Sequence, residues 1–247
     1  MRTGIIGAMK EEILFLKEEF SEYQSVTAGC RRFYHGKIGE EEIVMAFSGW
    51  GKVAAASTIT SLINLFNVDR IVFIGLAGAL QPHLKIGDIV IGNKLIQYDV
   101  DLSTLNFPDV DPPFWKNFEF EIPQNYISIA EKTVRLFSQN LKSRLYHDLP
   151  ITYQPDIYVG AIGTGDIFVS SIESKKEITN KYPEILCTEM EGAAIAQVAA
   201  DYKLPFMIIR IISDQANDEA AQTFTSFLFH NIGRISVEMI KILLLEL

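Results

Sequence analysis

Short apolar runs alternate with longer stretches of helical periodicity along this chain. The apolar runs are rich in Val and Ile, which is typical of strands, whereas the longer stretches repeat their apolar positions about every 3.6 residues, as helices do. The predicted strands cover residues 4–8, 42–47, 70–75, 88–92, 156–163 and 205–213. The predicted helices cover residues 10–20, 51–66 and 126–141, an alanine-rich stretch within 187–202, and a long segment from about Thr223.

Near-continuous Val and Ile runs indicate strands that are buried on both faces, as in a mostly parallel sheet covered by helices. The expected class is therefore α/β. No Ser-, Gly- or Pro-rich linker and no block of like charge divides the 247 residues, and 48% of them are apolar. We therefore expect one domain that spans residues 1–247 around a substantial core.

Composition narrows the set of partners. The formal net charge of −9 argues against a nucleic-acid backbone or an anionic membrane surface as the ligand. The N-terminal apolar run is too short for a secretory signal, and no uncharged apolar stretch reaches the roughly 18 residues that a membrane span needs. Two cysteines, Cys30 and Cys187, make no disulfide framework, which fits a cytoplasmic protein. The four histidines lack metal-ligand spacing, so we expect no metal and no other cofactor.

Several candidate residues lie just after predicted strands, where open α/β sheets bind their ligands. Glu12 follows the first strand in "GAMKEE", and Asp214 closes the last one in "IISDQAND". Taken alone, Glu12 fits a solvated first-turn acid and Asp214 fits a helix cap or a turn. Phe168, in "GTGDIFV", fits a core aromatic. Strand-end glycines such as Gly78 fit tight turns, or a close approach of the backbone to a ligand.

Arg210 lies inside the apolar strand "PFMIIRIIS". A buried guanidinium is costly unless it is paired and hydrogen-bonded. Alternation along the strand puts Arg210 and Asp214 on one face but about 13 Å apart, at about 3.3 Å per residue, so each needs its own partner. Two explanations stay open for Arg210: a structural ion pair with Glu189 or Glu191, or a polar ligand.

Glu189 and Glu191 stand at the start of the alanine-rich helix, in "CTEMEGAAIAQVAADY". One explanation is ordinary helix electrostatics, because carboxylates near a helix N-terminus are stabilised by the macrodipole. The other explanation is a site at which both acids meet a polar ligand. This stretch alone does not decide between them.

Several segments together resemble one family. The segments "GIIGAMKEEI", "SGWGKVAAA", "GLAGAL", "IGDIVIG", "TGDIF", "TEMEGAAIAQVA" and "RIISDQAND" occur in the order seen in the 5′-methylthioadenosine/S-adenosylhomocysteine nucleosidases. The resemblance extends from Gly4 to about Phe224, and its shared order and spacing make it specific. It implies a nucleoside phosphorylase-like fold, in which a mixed sheet is partly closed into a barrel and flanked by helices. It also implies a homodimer.

The resemblance further implies roles for individual residues. Glu12 matches the acid that activates water, and Asp214 matches the acid that protonates the purine N7, oriented by Ser213. Arg210 and Glu189 match residues that organise the water and the polar network. The other substrate-binding candidates match positions around the ribose, its 5′ substituent or the base: Met9, Trp50, Ala77, Gly78, Phe168, Val169, Met190, Glu191 and Phe224.

The implied reaction is hydrolysis of the N-glycosidic bond of a 5′-substituted adenosine, with release of adenine. Such a cleavage builds positive charge on the ribose and negative charge on the purine, so it uses two acids in opposite protonation states. Asp214 must stay protonated near neutral pH, while Glu12 must be ionised. A phosphorylase is the nearest competing enzyme, but "GAMKEE" and "GLAGAL" contain no arginine for a phosphate, and Glu12 would repel that anion.

Two segments depart from the family pattern. Trp50 stands in "SGWGK" where the family has "SGIGK", and Leu76 and Ala79 stand in "GLAGAL" where the family has "GSAGG". Leu76 removes a hydroxyl near the water network, and Trp50 adds a large aromatic near the sugar. Two alternatives therefore stay open: a hydrolase of another purine nucleoside, of futalosine type, and a non-catalytic nucleoside-binding relative. Retention of both proton-transfer acids argues against the second.

Residues 98–115 are the least family-like segment. Their prolines and aromatics predict an ordered loop. This loop is either a surface connection or a lid or dimer contact that closes a neighbour's pocket. Apolar residues at Leu105, Phe107 and Trp115 favour the second interpretation.

Overall fold

The computed structural model describes residues 1–101, 118–141, 155–227 and 233–247, without the side chains of residues 11–13. The strands in these ranges are β1 (Arg2–Gly7), β2 (Glu22–Ala28), β3 (Arg31–Ile38), β4 (Glu41–Phe47), β5 (Arg70–Ala79), β6 (Ile89–Gln97), β7 (Glu119–Glu121), β8 (Ile157–Thr164), β9 (Ile185–Glu189) and β10 (Phe206–Asp214). The helices are α1 (Lys10–Lys17), α2 (Lys52–Phe66), α3 (Gln124–Asn140), α4 (Ile172–Lys181), α5 (Gly192–Asp201), α6 (Ala220–Phe227) and α7 (Gly233–Glu246).

One mixed sheet runs through this structure and closes on itself. β10 pairs in parallel with β5 on one edge and antiparallel with β6 on the other. The pairings of β6 with β8, β8 with β9 and β9 with β5 complete a ring of five strands. From β5 the sheet extends outward through β1, β4, β3 and β2, and β7 adds to β6. The prediction of an α/β fold with a mixed sheet partly closed into a barrel is therefore confirmed.

The strands that carry the predicted site are the most apolar ones. β10 is buried along its whole length, because both of its edges are paired and both of its faces are covered. Burial of each large aliphatic side chain there contributes about 1.5–3 kcal/mol. The expectation that the Val- and Ile-rich runs are buried on both faces is confirmed for β10, which carries Arg210 within the strand and Asp214 at its end.

Two helices with small side chains bring distant parts of the chain together at the site. α2 buries Ala55, Ile59 and Leu62, and α5 buries most of its alanines. The two helices pack on each other, which small side chains permit at short range. Their starts are joined by a hydrogen bond from the Gly51 N–H to the Glu191 carboxylate, 2.7 Å long.

The structure differs from the predicted elements in several places. β2 carries almost no buried side chain, so its sequence lacks the apolar alternation that predicts a strand. α4 likewise buries no residue completely, and the sequence pattern predicts no element there. β5 continues from its predicted end at residue 75 to Ala79, and α1 stops at Lys17 rather than residue 20. The predicted terminal helix corresponds to α6 and α7, on either side of residues 228–232, which lie outside the described ranges.

Two further sequence interpretations concern the loop over residues 98–115 and the possibility of a membrane-spanning helix. Of the predicted loop over residues 98–115, the structure describes only residues 98–101, so its interpretation as a lid or a dimer contact stays a prediction. None of the described helices combines the length and the apolar character that a membrane crossing requires.

Candidate functional site

A cavity of about 340 Å³ opens at the carboxyl ends of β1, β4, β5, β9 and β10. Among the predicted site residues whose side chains the structure describes, all line this cavity except Arg210 and Val169. Its wall also includes Ala8, Leu76 and Thr188, of which Ala8 and Thr188 were not among the predicted residues. Segments far apart in the sequence therefore converge on one space, as parallel strand ends do.

A smaller recess of about 30 Å³ adjoins the cavity. It shares Phe168 and Asp214 with the main cavity and adds Ile167 and Val169. Val169 is buried, whereas Phe168 is exposed and makes an edge-to-face contact with Phe224, with ring centroids 5.6 Å apart. Phe168 is therefore not the core aromatic that its local sequence allowed. It forms, with Phe224, an aromatic corner of the cavity.

Asp214 ends β10 and points into both spaces. Its residue is only 1% exposed, and its carboxylate accepts hydrogen bonds from the Ser213 hydroxyl and from the Ala216 N–H, both at 2.8 Å. Burial raises the pKa of the Asp214 carboxyl above its ordinary value, while the Ala216 N–H, the Ser213 hydroxyl and the Lys175 ammonium oppose that rise. Desolvation is the largest of these effects, so the site favours the protonated acid relative to an exposed aspartate.

Arg210 is buried behind the cavity wall and pairs with Glu189. Its Nη2 lies 2.6 Å from Glu189 Oε2, both side chains are almost fully buried, and its guanidinium stacks 3.8 Å from the centroid of the Phe73 ring. The arginine–glutamate pair that the sequence left open is thus confirmed, and Arg210 reaches the cavity only through Glu189. The pairing of β10 with β5 shifts register between Ile212 and Asp214, so the expected simple alternation does not continue to the end of the strand.

Glu189 also caps the start of α5. Its carboxylate accepts hydrogen bonds from the N–H groups of Glu191 and Gly192 and from the Thr164 hydroxyl. Thr164 in turn accepts from the Ala193 N–H at 2.8 Å. The helix-electrostatics explanation therefore applies to Glu189, because this acid satisfies backbone donors that a helix start leaves without partners.

Glu191 plays a different part, although it is only two residues away. It is the N-cap residue of α5, yet its carboxylate accepts from the Gly51 N–H at the start of α2 instead of capping its own helix. Glu191 is buried and lines the cavity beside Met190. Because Glu189 and Thr164 cap α5, the Glu191 carboxylate is left to face the cavity.

Trp50 lies at the rim of the cavity in a turn that is held from several sides. Trp50 is 69% exposed, and its indole N–H donates a hydrogen bond to the Met9 sulfur at 3.3 Å. Next in the chain, Gly51 has φ +86°, and the Lys52 N–H donates to Asp166 at 2.8 Å. The Lys52 ammonium lies 2.6 Å from the Asp99 carboxylate. Asp166 lies in the strand-end segment "TGDIF" of the family pattern, whereas no sequence pattern points to Asp99. Both hold this turn from distant segments.

Glu12 lies within α1, the helix that begins at Lys10 directly after Ala8 and Met9 of the cavity wall. Its side chain lies outside the described part of the structure. Leu76, the second departure from the family pattern, is part of the wall, so an apolar group does occupy the position at which the family carries a hydroxyl.

Comparisons with known proteins show the family and the fold to which this chain is similar. The model of the Phosphorylase superfamily matches residues 2–247. The chain is 34% identical over 241 residues to the 5′-methylthioadenosine/S-adenosylhomocysteine nucleosidase of Staphylococcus carnosus, which covers 96% of this chain and 98% of that protein. The nucleosidase of Neisseria meningitidis, solved with methylthio-immucillin-A, is 32% identical, with a TM-score of 0.86 over 100% of this chain and 99% of the other. A futalosine hydrolase of Helicobacter pylori is 31% identical, with a TM-score of 0.84 over 100% and 98%.

Proposed function

Since this chain belongs to the 5′-methylthioadenosine/S-adenosylhomocysteine nucleosidase family, within the phosphorylase superfamily, and is accordingly a nucleoside hydrolase, we propose that its substrates are 5′-substituted adenosines. It releases adenine by cleaving the N-glycosidic bond. The single observation that carries the assignment of residues is the cavity itself, which brings Asp214 and Glu191 together from segments far apart in the sequence.

Asp214 is the proton donor to the departing adenine. The leaving purine gains negative charge as the bond breaks, so it needs an acid that still holds its proton. Burial of Asp214 raises its pKa in the required direction. The part of the main cavity next to Asp214 and Phe168 receives the flat purine ring.

Glu191 and Met190 hold the ribose. A carboxylate has acceptor positions for two adjacent hydroxyls, and Glu191 faces the cavity from the start of α5. Its negative charge also stabilises the positive charge that develops on the sugar. Glu189 contributes indirectly, because its bond with Arg210 and its bonds to α5 keep the start of this helix in place.

Glu12 is the base that activates water. Its position in α1, directly after the cavity residues Ala8 and Met9, supports this role. An ionised carboxylate within hydrogen-bond reach can take the proton as water attacks the ribose carbon. The reaction then uses one neutral and one ionised acid on opposite sides of the bond.

The test compares Asp214→Asn and Glu12→Gln with the wild type in adenine release from 5′-methylthioadenosine. Each variant is expected to lose about 10²- to 10⁴-fold in kcat, because each removes a proton transfer. Adenine binding, measured by calorimetry, remains measurable in both. Asp218→Asn, an exposed acid four residues further along, is the matched control and keeps wild-type turnover. Wild-type turnover in Asp214→Asn would overturn the assignment.

A second candidate substrate class is favoured by Trp50. This large side chain lies at the rim, against Met9, and adds aromatic surface to the cavity wall. An aromatic platform there suits a 5′ substituent larger than methylthio, as in the substrate of a futalosine hydrolase. The test measures the rate of base release from nucleosides with methylthio, homocysteinyl and arylthio 5′ groups. The relative rates show whether small or large 5′ substituents are preferred. Absence of base release from all of them would contradict both.

A further inference from the structure

Lys175 ties together two backbone segments beside the cavity. It is a half-buried residue of α4, and its ammonium donates hydrogen bonds to the Ala79 carbonyl at 2.7 Å and to the Gln215 carbonyl at 2.8 Å. Ala79 is the last residue of β5, and Gln215 directly follows Asp214. One side chain therefore joins the end of β5 to the exit of β10.

Both of these segments define where the Asp214 carboxylate lies. Gly78, next to Ala79, approaches so closely that a Cβ on it would come within 2.8 Å of Asp214 Oδ1. On the other side, Ala216 has φ +47°, a left-handed conformation that is unfavourable for a residue with a side chain. It is in this conformation that the Ala216 N–H donates to Asp214 Oδ1. The turn over residues 214–216, here called the exit turn of β10, therefore needs contacts from other elements to hold this conformation. The hydrogen bond from Lys175 to the Gln215 carbonyl is one of them.

We propose that Lys175 is a positioning residue for Asp214, which fixes the carboxyl between β5 and the exit of β10 and places a positive charge beside it. The inference rests on the proposed role of Asp214 as the proton donor. Lys175 itself is not part of the cavity wall, so it acts on the reaction through Asp214.

The charge of Lys175 has a defined effect on the acid. The ammonium lowers the pKa of Asp214 and thus opposes the larger rise caused by burial. Conversely, burial lowers the pKa of Lys175, and Asp214 opposes that change. Lys175 thereby limits how far the pKa of Asp214 rises, which keeps the acid able to give its proton away as well as to hold it.

Other groups also surround Asp214, and the Ala216 N–H and the Ser213 hydroxyl, which bond its carboxylate directly, lower its pKa more than Lys175 does. The Ser213 hydroxyl belongs to the same strand, and β9 contributes the buried Cys187 thiol, whose pKa is raised mainly by burial. Glu189, also on β9, has its charge paired with Arg210. Glu191 faces the same cavity from the start of α5. Removal of the Lys175 charge therefore changes the environment of Asp214 in one direction, towards a higher pKa.

The experiment measures kcat as a function of pH for Lys175→Met, Lys175→Gln and Lys175→Arg. Turnover falls at alkaline pH as Asp214 loses its proton, so the alkaline limb of the profile reports this acid. In Lys175→Met, kcat falls about 10- to 100-fold because the carboxyl is displaced, and the alkaline limb moves to higher pH because the cation is gone. Lys175→Gln retains donors without charge, so it shows the same shift with a smaller fall in kcat. Lys175→Arg restores the position of the limb.

The controls separate this inference from the proposed function. Lys176→Met, on the exposed side of the same helix, retains the wild-type profile. The inference is overturned if Lys175→Met keeps the wild-type kcat and an unmoved alkaline limb. It is also overturned if kcat falls in Lys175→Met and Lys175→Gln while the alkaline limb stays in place in both. If Lys175→Met does not fold, Lys175→Gln replaces it in the test. An alkaline limb at higher pH in Lys175→Gln supports the inference, and an unmoved limb overturns it. Asp214→Asn is measured alongside. If this variant is inactive, a negative result for the Lys175 variants concerns Lys175 alone. If it retains turnover, both the proposed role of Asp214 and the inference on Lys175 are overturned.

Discussion

The backbone of Gly78 lies directly against the Asp214 carboxylate. A Cβ built on Gly78 would come within 2.8 Å of Asp214 Oδ1 and 3.3 Å of the Ala216 Cβ. Atoms at the first distance must move apart, and such a move disturbs the carboxylate that Ser213 and Ala216 hold by hydrogen bonds. The end of β5 and the end of β10 therefore fix each other at the position where proton transfer is proposed.

Gly78→Ala is expected to lower kcat about 100-fold, because a displacement of the acid by about 1 Å is enough for such a loss. Adenine-release kinetics and thermal unfolding check this prediction. Gly4→Ala is the matched control: its new Cβ meets the flexible end of the Ile71 side chain, also at 2.8 Å, away from the cavity. Equal effects of the two substitutions on kcat would contradict a specific role of the Gly78–Asp214 contact.

Arg210→Met is expected to lower the free energy of unfolding by about 3–5 kcal/mol, because it leaves the Glu189 charge buried without its partner. Urea unfolding measures the change. Arg210→Lys keeps a charge but loses the planar guanidinium that stacks on Phe73, so it recovers only part of the loss. An Arg210→Met variant that unfolds at the wild-type urea concentration would show that the pair contributes little.

Asp214 makes stability depend on pH in a defined direction. Its pKa is raised above the ordinary 3.8 in the folded chain, so the folded state retains a proton that the unfolded chain has released. The stability contribution is fully present below the unfolded pKa and is lost as the pH rises through the folded pKa.

Asp214→Asn abolishes this dependence. The free energy of unfolding of the variant, minus that of the wild type, is therefore expected to increase as the pH rises from about 4 towards neutrality. Urea unfolding at a series of pH values gives this difference directly. A difference that stays constant with pH would show that the folded and unfolded pKa values of Asp214 are alike.

Trp50→Ile is expected to change the preference for the 5′ substituent. Trp50 is 69% exposed at the rim and contacts Met9, so loss of its indole removes apolar area that a large 5′ group would cover. The ratio of kcat/KM for an arylthio over a methylthio substrate is expected to fall about 10-fold. Val53→Ala, on a residue that is 82% exposed near the same turn, is the control. An unchanged ratio would remove Trp50 from the specificity site.

The sequence predicts the strands of the barrel better than those of the outer sheet, for a physical reason. β5 and β10 are buried on both faces, and such burial requires the apolar runs that identify a strand. β2 is an edge strand with exposed side chains, and its stability comes from pairing with β3. Backbone pairing leaves little trace in the side-chain pattern, so the pattern does not predict β2.

The sequence likewise predicts some features of the candidate site and leaves others undecided. Motif order predicts that Asp214 and Glu191 meet, and both do line one cavity. The local sequence could not tell which of two neighbouring acids pairs with Arg210, because that depends on which carboxylate α5 uses for its cap. Glu189 makes the cap and the ion pair, and Glu191 faces the cavity. Asp166 lies in the predicted "TGDIF" segment, but its bond to the turn that carries Trp50 joins distant segments and is known only from the fold.

The double pairing of β10 has a consequence for inactivation. A strand at a sheet margin can fray while the remainder stays native, but β10 has a partner on each side, β5 and β6. Its amide hydrogens should therefore exchange with solvent only through openings that break the ring of strands. Heat or denaturant would then abolish turnover in the transition that melts the barrel, without an earlier phase in which Asp214 alone becomes disordered.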